Sequence, residues 1–169
     1  LVWWMEDIVS TSHNESLRQK NNRPDFYMET FTLHNYDLDG SLRYRASGRS
    51  MIRYPVDDSL EIEQLDMRAF KPDKAPMDVK ADNALISNQG DDVLLTGNVD
   101  INQEKYGNDD SLSVKTEKLF FDNQRDYLET NKAITIRTSK HQMSGIGMQA
   151  WLEHKKYRLF SEVKGRHEP

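Results

Sequence analysis

The sequence predicts an all-β domain made of a repeated antiparallel hairpin. Three features carry that reading: short runs with an apolar side chain at every second position, turn residues between the runs, and an internal repeat. Period-two alternation marks a half-buried strand, because successive side chains leave a pleated backbone on opposite faces. Leu42, Tyr44 and Ala46 alternate with Arg43 and Arg45, and Leu60 and Ile62 alternate with Glu61 and Glu63. Val99 and Ile101 alternate with Asn98, Asp100 and Asn102, and Ile134 and Ile136 with Thr135 and Arg137. No stretch has convincing helical periodicity. Asp39-Gly40 and Gln89-Gly90-Asp91 are hairpin-turn chemistry, and Gly107-Asn108-Asp109-Asp110 reads as a longer loop.

The repeat organises these runs. Met77–Gln103 lies over Leu112–Thr138 without a gap, so that Val79-Lys80 matches Val114-Lys115, Ala84 matches Leu119, and Asn88-Gln89 matches Asn123-Gln124. Val93, Val99 and Ile101 match Leu128, Ile134 and Ile136. A third copy, His141 to His167, puts Met143, Met148, Tyr157 and Val163 in the places of Val114, Leu119, Leu128 and Ile134. A weaker early copy sets Leu42, Tyr44 and Ala46 over Met77, Val79 and Ala81. Four stacked hairpins follow, each marginal alone and stabilised by a shared apolar face. Folded over, such a stack encloses an elongated apolar interior and leaves unpaired backbone groups at its first and last strands.

Composition narrows the function classes. The chain has 169 residues, 36% of them hydrophobic and 30% charged, which suits one sizeable domain with a core. Its net charge of −5 and scattered bases argue against nucleic acid as a partner. The absence of Cys removes disulfides, thiolate catalysis and Cys-type zinc sites. Three regions are expected. Residues 1–9, with Leu1-Val2-Trp3-Trp4-Met5 ahead of Glu6-Asp7, read as the end of a membrane-anchor stub or as a core-packing strand. Residues 10–25 read as a polar linker closed by Pro24, and residues 26–169 as the β domain.

No catalytic constellation is found. Asp57-Asp58, Asp91-Asp92 and Asp109-Asp110 fall at predicted turns, where Asp is favoured for local hydrogen bonding. Asp37-Leu38-Asp39-Gly40 lacks the other ligands of a calcium loop. His13, His34, His141, His154 and His167 have no metal-ligand spacing, so neither metal nor cofactor is expected. Gly145-Ile146-Gly147 opens no helix and reads as a bulge or relief of crowding in a strand. Tyr44, Phe120, Phe121 and Trp151 suit core or sheet-face packing, with sugar stacking as the alternative.

Four stretches stand out: Phe31-Thr32-Leu33 with Asp39-Gly40-Ser41-Leu42-Arg43-Tyr44; Met77-Asp78-Val79-Lys80-Ala81-Asp82-Asn83-Ala84; Leu94-Leu95-Thr96-Gly97-Asn98-Val99; and Leu159-Phe160-Ser161-Glu162-Val163-Lys164-Gly165-Arg166. In their order and spacing they resemble the LptC family of lipopolysaccharide-export proteins. The resemblance covers about residues 26–169. It implies an open twisted antiparallel β-jellyroll in the periplasm, held by one inner-membrane helix. It also implies lipopolysaccharide as ligand, the LptB–LptF–LptG transporter as donor, LptA as acceptor, and no enzymatic activity. By likeness to the family's lipid-facing positions, Thr30, Ile62, Tyr157 and His167 are expected to touch lipid. Val79, Ile86, Leu95, Val99, Val114, Leu119, Phe121, Ile134, Met148, Leu159 and Val163 are expected to line the trough, ordinary mutual packing being the alternative. The terminal strand Tyr157–Lys164, with Tyr157, Leu159, Ser161 and Val163, is expected to pair with LptA. The first strand, Phe26–Leu33, is expected to face the transporter, and the free edges allow a homodimer of the isolated domain. An acyl chain of a dozen carbons represents roughly 10 kcal/mol of hydrophobic transfer at about 0.8 kcal/mol per methylene. Such a chain needs shielding to cross water. A soluble LptA-like bridge and a repetitive carbohydrate-binding or adhesion module are the rival readings, with a glycosidase behind them.

Overall fold

The computed structural model describes residues 23–151, 154 and 156–167; the apolar stub and most of the polar linker lie outside them. Nine strands follow in chain order: β1 (Phe26–Tyr36), β2 (Leu42–Tyr54), β3 (Ser59–Ala69), β4 (Met77–Ser87), β5 (Asp92–Gln103), β6 (Leu112–Asp122), β7 (Tyr127–Arg137), β8 (His141–Trp151) and β9 (Lys156–His167). Each pairs antiparallel with the next, giving one open sheet in the order β1 to β9, with β1 and β9 at opposite edges. The fold is the expected all-β, open antiparallel jellyroll.

The hairpin repeat maps onto eight of these nine strands. The copies beginning at Leu42, Met77, Leu112 and His141 are β2–β3, β4–β5, β6–β7 and β8–β9, and β1 precedes them as a ninth strand. β1 extends to Tyr36, three residues beyond the expected Leu33, and β9 extends to His167, past the expected Lys164. The turns behave as their residues dictate. Gly40 at φ 85° closes the β1–β2 turn with its N–H on the Asp37 carbonyl at 2.9 Å, while Asp39 accepts from the Ser41 N–H and hydroxyl. Asp57 does the same for Ser59 between β2 and β3. Asn88, Gln89 and Gly90 all have positive φ in a single 3₁₀ turn ahead of β5.

The strands do not run straight. Positive φ at Thr30, Gln64, Asn98 and Glu162, and at Gly97 and Gly147, falls near strand midpoints, and five neighbouring pairs slip register there. In β3 the buried apolar positions are Leu60 and Ile62 before the break but Leu65, Met67 and Ala69 after it. β4 changes from Met77, Val79 and Ala81 to Ala84 and Ile86. One extra residue inverts the alternation of everything beyond it, so each half-strand sends its own apolar set to the same side. The backbone groups and side chains freed at the bend are met locally. Glu63 accepts from Ser50 and Arg49, Asp82 accepts from Asn98 at 2.7 Å, and the Thr116 hydroxyl donates to the Ala133 carbonyl at 2.8 Å.

A single flat sheet cannot bury either of its faces, and no helix covers this one among the described residues. Yet Val79 is 1% exposed, and Met67, Val93, Val99 and Ile134 are equally enclosed. The covering layer is the other half of the same sheet. Tyr157 and Met143 show the fold directly. Tyr157 pairs with Ala150, whereas Met143 lies seven positions back along β8 and pairs with Gly165. A straight strand would set those two points about 23 Å apart at its usual rise, but the Tyr157 hydroxyl reaches the Met143 sulfur at 3.8 Å. The sheet is bent across its strands and closes on one continuous apolar cluster running from Phe31 to Ala150.

Candidate functional site: the folded interior and its two edges

The interior changes character along the stack. At its centre Ile62, Val79, Ile86, Leu95, Val99, Leu119, Phe121, Ile134 and Met148 are all buried in one cluster, packed side chain against side chain. Val114 and Leu159 lie partly buried against that cluster. These are the expected trough positions, and every one of them points inward.

At the C-terminal edge the same inward rows emerge. Leu159 pairs with Met148 and Tyr157 with Ala150, so both continue the inner face, yet Tyr157 is 58% exposed and Val163, further along β9, 56%. Among the described residues no strand lies beyond β9, so its inner side chains have neighbouring strands on one side only. Tyr157 spans the opening through its contact with Met143 on the facing half. Ser161 lies at the bend of β9, its hydroxyl on the Ile146 carbonyl at 3.4 Å, beside Glu162 at φ 49°. The outer edge of β9 has no strand partner among the described residues.

The N-terminal edge differs. Phe31 of β1 faces inward, is 4% exposed and lies over Gly48 of β2, where a Cβ would stand 2.8 Å from its ring and from the Glu63 carbonyl. Met28 and Leu33 pack beside it, and Phe26 at the start of the strand is exposed. Thr30 does not join the inward rows: it is exposed at the bend of β1, with φ 46°. His167 is the last residue of β9, and its side chain lies outside the described residues.

Two surface clefts sit on the outer face rather than inside. One is lined by Ile52, Leu85 and Leu94 with Glu61 and Thr96, and the other by Leu94, Phe120 and Phe160 with Lys118 and Glu129. Glu61, Leu85, Leu94, Phe120 and Glu129 occupy one cross-strand row, opposite in alternation to the core. This outer apolar row escapes a reading of the sequence that assigns each apolar residue to the interior, although Leu85 and Leu94 already break the alternation of their strands.

Chemically the site offers apolar surface and little else. The Asp pairs serve turns: Asp57 holds Ser59 and Asp58 pairs with Arg53 at 2.6 Å. Outside those pairs, Asp122 is a buried carboxylate. Burial acts to raise its pKa, but the Arg125 guanidinium and N–H outweigh that and hold it below the usual range. Burial, with a hydrogen bond to Glu129, pushes the Tyr127 phenol up to about 12. No group of three His, Cys, Asp or Glu side chains among the described residues is arranged to hold a metal, and no helix among them is long and apolar enough to cross a membrane.

No curated protein matches the chain. The family model for lipopolysaccharide-assembly, LptC-related proteins matches it over residues 1–168. With that match over nearly the whole length, on an open jellyroll of nine strands, the chain belongs to the LptC-related family and has its role in lipopolysaccharide transport.

Proposed function

We propose that this domain holds the acyl chains of lipopolysaccharide between the two halves of its folded sheet and passes the lipid on through its β9 end. The observation that supports this reading most is the graded exposure of the inward rows, enclosed at Val79 and uncovered at Tyr157 and Val163. An apolar lane that surfaces at one end suits a lipid that must leave without its tails meeting water. The open sheet suits the task too. Because β1 and β9 are not joined, the halves can part to admit tails without breaking a strand ladder, which a closed barrel cannot do.

In this reading Ile62, Val79, Ile86, Leu95, Val99, Leu119, Phe121, Ile134 and Met148 form the lane, and Tyr157, Leu159 and Val163 its exit. Thr30 and His167 stand at the two ends. LptA receives the lipid along β9, with Tyr157, Leu159, Ser161 and Val163 at the seam, and the LptB–LptF–LptG transporter supplies it at β1. The domain catalyses nothing, and works in the periplasm from an inner-membrane anchor. Energy for directional flow comes from the transporter.

Photo-crosslinking in cells making lipopolysaccharide tests the reading. A crosslinker at Ile62 or Tyr157 is expected to capture lipid, whereas one at the outward Glu61 is not. Lipid captured at Glu61 alone, or at none of the three, overturns it.

A further inference from the structure

The two edges of the sheet carry opposite charge. Residues 24–42, which make β1 and its turn, contain Asp25, Glu29, Asp37 and Asp39 and no Lys or Arg, with Asp25 and Asp37 paired to Arg53 and Arg43 of β2. β9 carries Lys156, Arg158, Lys164 and Arg166 against Glu162 alone. The whole chain is at −5, so the basic strand stands against the net charge. In the middle of the sheet cations are matched across strands: Arg49 with Glu63, Arg68 with Asp78, Lys80 with Asp66, Lys115 with Asp100. The four cations of β9 are exposed, and none is in an ion pair among the described residues. They alternate with the exit residues Tyr157, Leu159 and Val163, and so take the outward side of a strand whose other edge is free.

We infer that β9 selects a protein edge strand rich in carboxylates, the kind of edge that β1 itself presents. This rests on the reading of β9 as the delivering edge and adds the charge of what docks there. An incoming strand bonds the free backbone groups of β9 whatever its sequence, so backbone pairing alone does not discriminate between edges. Charge does. Two β9 strands brought together oppose four cations to four, which disfavours symmetric pairing of two copies, whereas an acidic edge is attracted and steered into register. The outward side of β9 faces away from the interior, which favours a neighbouring strand over a phosphate whose acyl chains lie inside.

The test uses the chain with LptA as probe, measuring association and dissociation rates at low and high salt, alongside lipopolysaccharide loading from micelles. Replacing Arg158, Lys164 and Arg166 by Glu is expected to slow association with LptA at least about tenfold at low salt, with the difference shrinking toward 1 M salt. Lipid loading should be unchanged. If the Glu variant does not fold, the Gln variant at the same positions should show a smaller loss of the same kind. Failure of the unaltered chain to bind LptA sinks the hand-off reading itself. Equal rates for the unaltered and reversed chains leave that reading standing and overturn the charge inference. Lost lipid loading with unchanged LptA binding overturns it too, by assigning the cations to lipid phosphates.

Discussion

Phe31 and Phe160 hold corresponding places at opposite ends of the sheet and take opposite sides of it. Each lies across from a glycine on the neighbouring strand, Gly48 for Phe31 and Gly147 for Phe160. Phe31 turns inward and corks the N-terminal end of the interior at 4% exposure, while Phe160 turns outward and remains 53% exposed. A one-residue difference in alternation therefore decides which end is stoppered. At the C-terminal end the aromatic covers the outer face, and the interior is left to Tyr157, Leu159 and Val163. The two ends, built from the same hairpin logic, are not equivalent.

Deleting the two rings gives the strongest contrast. Phe31→Ala is expected to cost about 3–5 kcal/mol, the usual range for emptying a buried aromatic site. Phe160→Ala should cost under about 1 kcal/mol, since its ring is half in water already. Urea denaturation of the two variants measures both, and equal losses would break the comparison. Within the lane itself, Ile62→Ala should lose about 2–5 kcal/mol. Tyr157→Ala, at the exit, should leave stability nearly unchanged while altering lipid capture.

The glycines sharpen the same comparison. A methyl at Gly48 would meet the Phe31 ring and the Glu63 backbone carbonyl, both at 2.8 Å. Gly48→Ala should therefore destabilise the fold by about 1–3 kcal/mol, the usual cost of overpacking, and adding Phe31→Ala cannot restore it, because the carbonyl stays in place. At Gly147 the obstacle within 3 Å is the exposed Phe160 ring, on a backbone at φ 75°. Gly147→Ala should cost about 1–2 kcal/mol through its left-handed backbone and that contact. Phe160→Ala should recover the contact part in a double-mutant cycle. Full additivity at Gly147 would mean that Phe160 does not press on it.

The smallest expected effect concerns pH. Hydrogen bonds from the Ser50 hydroxyl, then from Arg49, hold the Glu63 carboxyl below its ordinary range. A carboxyl that is more acidic when folded stabilises the fold fully above its unfolded value, and this stabilisation is lost as pH falls through the folded value. Stability should thus decline on acidification through the lower carboxylate range, and Glu63→Gln should flatten that decline slightly. An unchanged acid limb in thermal melts would show that the bend at β2–β3 does not depend on this charge.

Much of this fold was legible beforehand, because alternation and repetition are local properties. The matches of Val79 with Val114 and of Ala84 with Leu119 placed β4 and β6 in the same register. The copy beginning at Leu42 proved to be β2 from its first residue. The expected trough positions at the centre all face inward for the same reason. What stayed hidden concerns the bends. Nothing near Gln64 or Thr30 announces a left-handed residue, so the inversion of alternation there was not foreseen, nor was the exposure of Thr30; the bulge expected at Gly145-Ile146-Gly147, by contrast, is where β8 slips register against β9. The outer row of Leu85, Leu94 and Phe120 was missed because pairing across three strands, rather than any one strand, makes it a row.

The order of the residues determined that this chain forms stacked hairpins and where several of them turn, since two-residue periodicity and turn chemistry act over a few neighbours. Only the tertiary structure decided which inward positions are sealed and which open to water. Enclosure depends on what the folded sheet brings opposite a side chain, and on whether a further strand lies beside it. Val79 and Tyr157 have the same place in their own strands' alternation; the company around each makes one core and the other an exit.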